Sequence, residues 1–296
     1  MAQDARQVLV TADLHFGLHP AGDACALELA EFVRRSEADA FIIAGDVADA
    51  DTDYFAACLD LFATFRGSKL LVPGNHDLWS AGTGSERKYR EVLPARARDC
   101  GFHMLDAGPV AVGGVGFVGN IGWYDYSFRN PSLNVTMEQY ERKVLPGVCT
   151  WNDGRYIDWQ YSDAEFTDKC LRKLAAAYRS VEPAVHTVVA VLHHVPFREL
   201  LYGSSSAAFE FCRAFMGSER FGGLLTELRK VRYAFCGHRH GPDHCRVGEV
   251  EAFVVGSDYL VKRLVQLDLE SGRHATHVFE PTRRKDKTEF LPAEEP

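Results

Sequence analysis

Gln7-Val8-Leu9-Val10-Thr11-Ala12-Asp13-Leu14-His15 reads as an apolar strand that stops on a carboxylate and an imidazole two positions apart. The pattern recurs four times. Phe41-Ile42-Ile43-Ala44 runs into Gly45-Asp46, and Lys69-Leu70-Leu71-Val72 is followed by Gly74-Asn75-His76-Asp77. Thr187 to Leu192 runs into His193-His194, and Tyr233-Ala234-Phe235-Cys236 into Gly237-His238-Arg239-His240. Runs this apolar suit the central strands of an α/β sheet. Ligands of open α/β sheets bind at the carboxyl ends of strands, where all five motifs fall. The Asp, Asn and His side chains gathered there are a ligand inventory for two metal ions. Asp13 and His15 are two apart, so the alternation of a strand predicts that both side chains meet one ion, and His238 and His240 repeat the spacing.

The chain has 296 residues, 46% of them hydrophobic, which is ample for a substantial core. Val8 already opens a strand, so no basic segment with an apolar stretch precedes it, and no apolar run approaches the length of a membrane span. The expectation is a soluble cytoplasmic protein with no membrane partner. Eight cysteines are scattered without a CxxC pair, which suits free buried thiols in a reducing compartment. Cys236 and Cys245 flank the last histidine block and are alternative zinc ligands, but the histidines already supply donors and packing is the better reading. A formal net charge of −8 argues against a broad electrostatic grip on nucleic acid. It still admits an anionic substrate, because two cations at the strand ends would leave a local positive excess.

Helical spacing fills the gaps between the first strands. Leu29, Phe32 and Val33 give residues 27–35 an apolar face, and Tyr54, Cys58, Leu61 and Phe65 do the same for residues 54–65. This alternation predicts a parallel sheet. Residues 85–93 predict a third helix that Pro94 should interrupt. Val110-Ala111-Val112 and residues 115–118 predict a hairpin through Gly113-Gly114. Residues 122–162 are irregular but carry too many aromatics for a disordered linker, among them Trp123, Tyr124, Tyr126, Phe128, Trp151 and Trp159. They predict an ordered insertion beside the site that sets access and substrate choice. Later helices are expected over residues 164–178, with Asp163 as a possible cap, and over 207–215 and 221–231. Strands are expected over 251–255, 264–269 and 274–279. The domain organisation expected is one domain over residues 1–281 and a charged surface tail over 282–296.

The ordered blocks Asp13-x-His15, Gly45-Asp46, Gly74-Asn75-His76-Asp77, His193 and Gly237-His238-x-His240 resemble the signature of the calcineurin-like metallophosphoesterase superfamily, over residues 8–257. The resemblance implies an α/β fold, a four-layer αββα sandwich with two mixed β-sheets. It also implies two divalent or trivalent metal ions: manganese, iron or zinc. Asp13, His15, Asp46 and His240 would bind one ion, and Asp46, Asn75, His193 and His238 the other, with Asp46 bridging. Carboxylates offset metal charge, imidazoles suit these metals, and the Asn75 amide oxygen is a neutral donor that leaves its ion electrophilic. Two ions about 4 Å apart can hold a bridging hydroxide and polarise phosphoryl oxygens for in-line attack.

His76, by the same resemblance, contacts the phosphate or protonates the leaving oxygen, and Asp77 orients its ring and favours its charged form. The structural alternative is a buried histidine bonded to nearby backbone. His194 is expected to turn away from the site, His19 to be a loop histidine, and Arg239 to point away from the metals. Asp49 either supports the site or caps the next helix. Trp123, Tyr124 and Arg129 either clamp a substrate or pack beneath the insertion. The expected activity is hydrolysis of a phosphoester, with phosphodiesters, including a nucleotide or nucleic acid, ahead of phosphomonoesters and phosphoproteins. The rival is a non-catalytic scaffold of the same fold, which should lack the ligands this chain keeps.

Overall fold

Val8 and Val10 of the first strand enter one apolar layer while Leu9 between them enters another, and this alternation decides how the molecule is stacked. The computed structural model describes residues 5–80, 84–201, 203 and 206–281. Its strands begin with β1 (Gln7–Thr11), β2 (Ala40–Ala44), β3 (Ser68–Val72), β4 (His103–Met104), β5 (Val110–Val112) and β6 (Val115–Asn120). The two-residue β7 (Val144–Leu145) and β8 (Cys149–Thr150) follow, then β9 (Thr187–Leu192) and β10 (Val231–Cys236). The last four are β11 (Asp243–Val247), β12 (Val250–Val254), β13 (Lys262–Asp268) and β14 (His274–Phe279).

One sheet has the order β14-β13-β1-β2-β3-β4 and the other β11-β12-β10-β9-β6-β5. Both are mixed: β1 pairs in parallel with β2 and antiparallel with β13, and β10 is parallel to β9 and β12 while β11 runs against β12. Between the sheets lies a layer of Val8, Val10, Ile42 and Leu70 from the first and Phe117, Val189, Val191 and Phe235 from the second. The opposite faces of the same strands, with Leu9, Phe41, Ile43 and Leu71, pack into the helical layers. The result is the four-layer αββα sandwich.

Several elements depart from their expected bounds. The first helix runs from Pro20 to Arg35, starting where His19 accepts a hydrogen bond from Ala21 N, so His19 is a helix cap. Pro94 does not stop the third helix. Ser85–Arg87 passes through a π-helical turn, Lys88–Val92, into Leu93–Asp99, and the wide turn accommodates the missing proline donor. Ser162, with Glu165 reaching back, caps the helix Asp163–Val181, so Asp163 is not the cap. Helix Glu219–Glu227 ends early because Val231 belongs to β10. Strand β11 has no apolar run to announce it and was not expected. The Gly113-Gly114 hairpin is as expected, both glycines having positive φ. Residues 122–162 hold the short helices Met137–Glu141 and Asp153–Tyr156 and the β7–β8 ribbon. The charged tail over 282–296 lies outside the described residues. No helix among the described residues is long and apolar enough to cross a membrane, and all eight cysteines are free.

Phe117 sits fully buried between the sheets. Phe117→Ala is expected to cost about 3–5 kcal/mol of stability, read from urea unfolding, through lost burial and the cavity it leaves. A loss below about 1 kcal/mol would mean that the inter-sheet layer is not the core.

Candidate metal centre

The first three strands of one sheet and the two central strands of the other, β9 and β10, deliver their motifs to a shared edge. Strand alternation is not what aims the side chains. β1 ends at Thr11 and β10 at Cys236, before the donors begin. Asp13, His15, Asp46, His238 and His240 all adopt positive φ, between 41° and 69°. Such left-handed backbone is costly for non-glycine residues, roughly 1–3 kcal/mol each, and persists where the surroundings over-determine it. The motif glycines have a related cause. A Cβ on Gly74 would lie 2.0 Å from Asp46 Oδ1, on Gly45 2.3 Å from His193 Nδ1, and on Gly237 2.6 Å from Asp13 Oδ2. These three positions let backbone approach the donors more closely than any side chain permits.

The donor atoms expected from the sequence form two groups, with His15, Asp49 and His76 making a third cluster beside them. One oxygen or nitrogen from each of Asp13, His15, Asp46 and His240 lies within 4.8 Å of the others, and the same holds for Asp46, His193 and His238. Asp46 belongs to both. Asn75 joins the second group through its amide oxygen, 3.1 Å from His193 Nε2. His193 Nδ1 donates to the Ala44 carbonyl at 2.9 Å, which leaves Nε2 as the ring atom facing Asp46 Oδ2 at 3.3 Å and His238 Nδ1 at 3.2 Å. His238 turns the opposite way, donating from Nε2 to the Phe215 carbonyl. His15 and His240 bring their Nε2 atoms within 3.1 Å of each other.

Electrostatics make this cluster a poor resting place for charge unless a cation is shared. Burial pushes the Asp13 carboxyl up to about 7, against the opposing charge of His193. Burial would raise Asp46 as well, but His193 and then His76 outweigh it and hold the carboxyl well below its usual range. His193 is lifted to about 9 because Asp46 overcomes its burial. Burial, aided by the neighbouring His15, pulls His240 down to about 3, and burial with His194 and His193 depresses His238. Asp13 Oδ2 is buried and accepts no hydrogen bond from the described residues. An orphaned carboxylate oxygen, facing imidazole nitrogens and a shared carboxylate fit one cation per group.

Asp49, not Asp77, holds His76. His76 Nδ1 bonds the Asp49 carboxylate, which also lies 3.4 Å from His15 Nδ1. Burial lowers the His76 ring, but the charge of Asp46 and the bond to Asp49 outweigh it and leave it raised. Asp77 instead accepts the backbone N–H groups of Val47, Ala48 and Gly74 at 3.3, 3.0 and 2.8 Å, pinning two motif loops together. Asp51 is the residue that caps the next helix. His194 is fully buried behind the site, its Nδ1 donating to the Ile121 carbonyl. Trp123 and Tyr124 are core residues, and the Arg129 guanidinium bonds the Tyr126 carbonyl, so none of the three lines the cavity over the donors. That cavity, about 390 Å³, is walled by Trp79, Trp151, Phe209, Met216 and Tyr259. Cys236 is buried in β10, its thiol directed at the Phe253 carbonyl rather than the donors.

The calcineurin-like phosphoesterase pattern matches residues 6–242, and the chain belongs to that family of hydrolases acting on ester bonds. Comparison with curated protein sequences gives no match. Among solved structures, the phosphopantetheinyl hydrolase of Mycobacterium tuberculosis is similar at 22% identity and a TM-score of 0.68, over 88% of this chain and 91% of that one. A dimetal phosphatase from Danio rerio is similar at 12% identity and a TM-score of 0.55, over 95% of this chain and all (100%) of that one. Both likenesses concern the fold.

Asp77→Ala would strand three N–H groups, each costing about 1–3 kcal/mol when buried unpaired. The expected outcome is a thermally destabilised or unfolded protein. A stable Asp77→Ala variant with reduced turnover would return Asp77 to a catalytic role.

Proposed function

We propose that the chain hydrolyses phosphodiesters at a dinuclear centre, with Asp13, His15, Asp46 and His240 holding one ion and Asp46, Asn75, His193 and His238 the other. The observation that carries this reading is a single carboxylate, Asp46, shared by two donor groups. The mixture of carboxylate, amide and imidazole suits manganese, iron or zinc. When bound, the two ions supply the charge that activates water and polarises the phosphoryl oxygens. His76 borders the cavity, and with Nδ1 held by Asp49 its Nε2 is the nitrogen left to give a proton to the leaving oxygen.

The walls favour a diester. Arg239 is the only Lys or Arg among the residues lining the cavity, and its guanidinium is engaged by the Leu200 carbonyl and by Asp243. Among the described lining residues, a monoester dianion would therefore meet the His76 ring but no unengaged Lys or Arg beyond the two ions. A singly charged diester with a second organic arm suits the flanking Trp79, Trp151, Phe209 and Met216. The substrates to compare are matched mono- and diesters, nucleotides and a phosphopantetheinyl ester, the last suggested by the Mycobacterium tuberculosis enzyme. Preference for monoesters across the set would overturn the diester reading.

Asp46→Ala should lose both ions, counted after dialysis, and all turnover. An active Asp46→Ala protein would contradict the shared carboxylate. His76→Asn should keep both ions and lose roughly 10²–10⁴-fold in turnover, more for alkoxide than for nitrophenolate leaving groups. Asp49→Asn should show a weaker form of the same loss. His76 acts as an acid only while protonated, so activity falls as pH rises through its raised pKa. Removing the Asp49 charge should move that alkaline limb to lower pH. An unmoved limb in the pH–rate profile would rule out Asp49 as the tuning partner.

A further inference from the structure

We infer that Asp153, which no sequence motif marks, is a positioning residue that fixes which face of Asn75 meets the second ion and ties that choice to the aromatic segment. The inference rests on the dinuclear reading above. Asp153 opens the short helix Asp153–Tyr156 and is 1% exposed. Its Oδ1 accepts from Asn75 Nδ2 at 2.9 Å and from the Trp79 indole at 2.7 Å. Its Oδ2 accepts from the Tyr124 hydroxyl at 3.0 Å and from the Trp151 indole at 2.8 Å. A carboxylate only accepts, so four donors from three stretches of the chain converge on one group.

An asparagine amide has two faces of almost equal shape, and only its oxygen can ligate a cation. By taking the NH₂ side, Asp153 leaves Oδ1 turned to His193 and the second donor group. A rotated amide would present N–H donors to the same place. The second bond on Asp153 Oδ1 holds Trp79, whose ring stacks on His76 at 3.7 Å. One carboxylate thus orients a ligand and the ring that backs the proton donor. Its other oxygen is held by residues 124 and 151 of the aromatic segment, and Trp151 also lines the cavity. A core anchor alone would need only the Trp79, Tyr124 and Trp151 bonds, not the one to Asn75. Hydrogen-bond partners behind metal ligands are typically worth 10–100-fold in metal affinity.

The test is manganese titration of full-length Asp153→Asn, with ions counted by elemental analysis and melting followed in parallel. The first ion should bind as in the wild type and the second about 10–100-fold more weakly, with excess manganese restoring turnover. A folded variant that binds both ions with wild-type affinity, or weakens both equally, would overturn the inference. A wild-type protein taking fewer than two ions would instead count against the dinuclear reading. Should Asp153→Asn fail to fold, Trp151→Phe removes one donor and keeps most of the ring. It should weaken the second ion selectively but less, and unchanged binding there would overturn the inference equally.

Discussion

Two carboxylates and four imidazoles converge at the floor of one cavity, most of them buried, and most of the architecture serves to hold them there. Asp13, His15, Asp46 and His193 are at most 1% exposed. Charges so placed repel or neutralise one another unless a cation is shared, because burial removes the solvent that would screen them. The opposed displacements of Asp13 and Asp46, one carboxyl raised and its neighbour lowered, express this competition. The family's dependence on metal ions follows naturally from such a donor set.

Bringing the donors together takes two sheets and considerable local strain. No single sheet presents five adjacent strand ends with the required residue types. Here β1, β2 and β3 face β9 and β10 across the inter-sheet layer, and hydrogen bonds cross the seam: His238 N–H donates to Asp13 Oδ1, and His193 Nδ1 to the Ala44 carbonyl. Left-handed backbone at five donor residues then turns the side chains inward. Rigid strands anchor each motif immediately before the strained residue, so the strain is borne by the sandwich rather than by a loose loop.

The order of apolar runs and polar stops made the fold and the clustering of the candidate donors legible, because both depend on residues close in sequence. What was illegible depends on distance. His76 and Asp77 are neighbours in the sequence, but on the helical turn Asn75–Leu78 successive side chains diverge by about 100°, and Asp77 folds back to the Gly74 N–H instead. The true partner, Asp49, reaches His76 from the loop after β2. Its Gly-Asp-x-x-Asp spacing was the available signal, but the same spacing suited a helix cap, and Asp51 fills that role. The aromatic segment misled in another way. Its composition showed that it was ordered, but not that Trp123 would be spent on a buried bond to Asp163 while Trp151 faced the cavity. Asp153 lies 78 positions from Asn75 and carried no signal at all.

Exposure varies across the site. The floor is closed, with Asp13, Asp46, His15 and His193 sealed, whereas the side chains of His76, Asp49 and His240 are 15%, 25% and 25% exposed. Groups that only hold charge gain from a low dielectric, which strengthens their grip on a cation. A group that exchanges a proton with substrate must instead reach the cavity and be recharged from solvent. His76 meets both conditions: Asp49 holds it from one side, Trp79 stacks on it from another, and the ring still borders the open volume. Burying it as deeply as His193 would close it off from the cavity, and exposing it fully would remove the stacking and ion-pair contacts that keep it charged. Its intermediate depth suits proton donation.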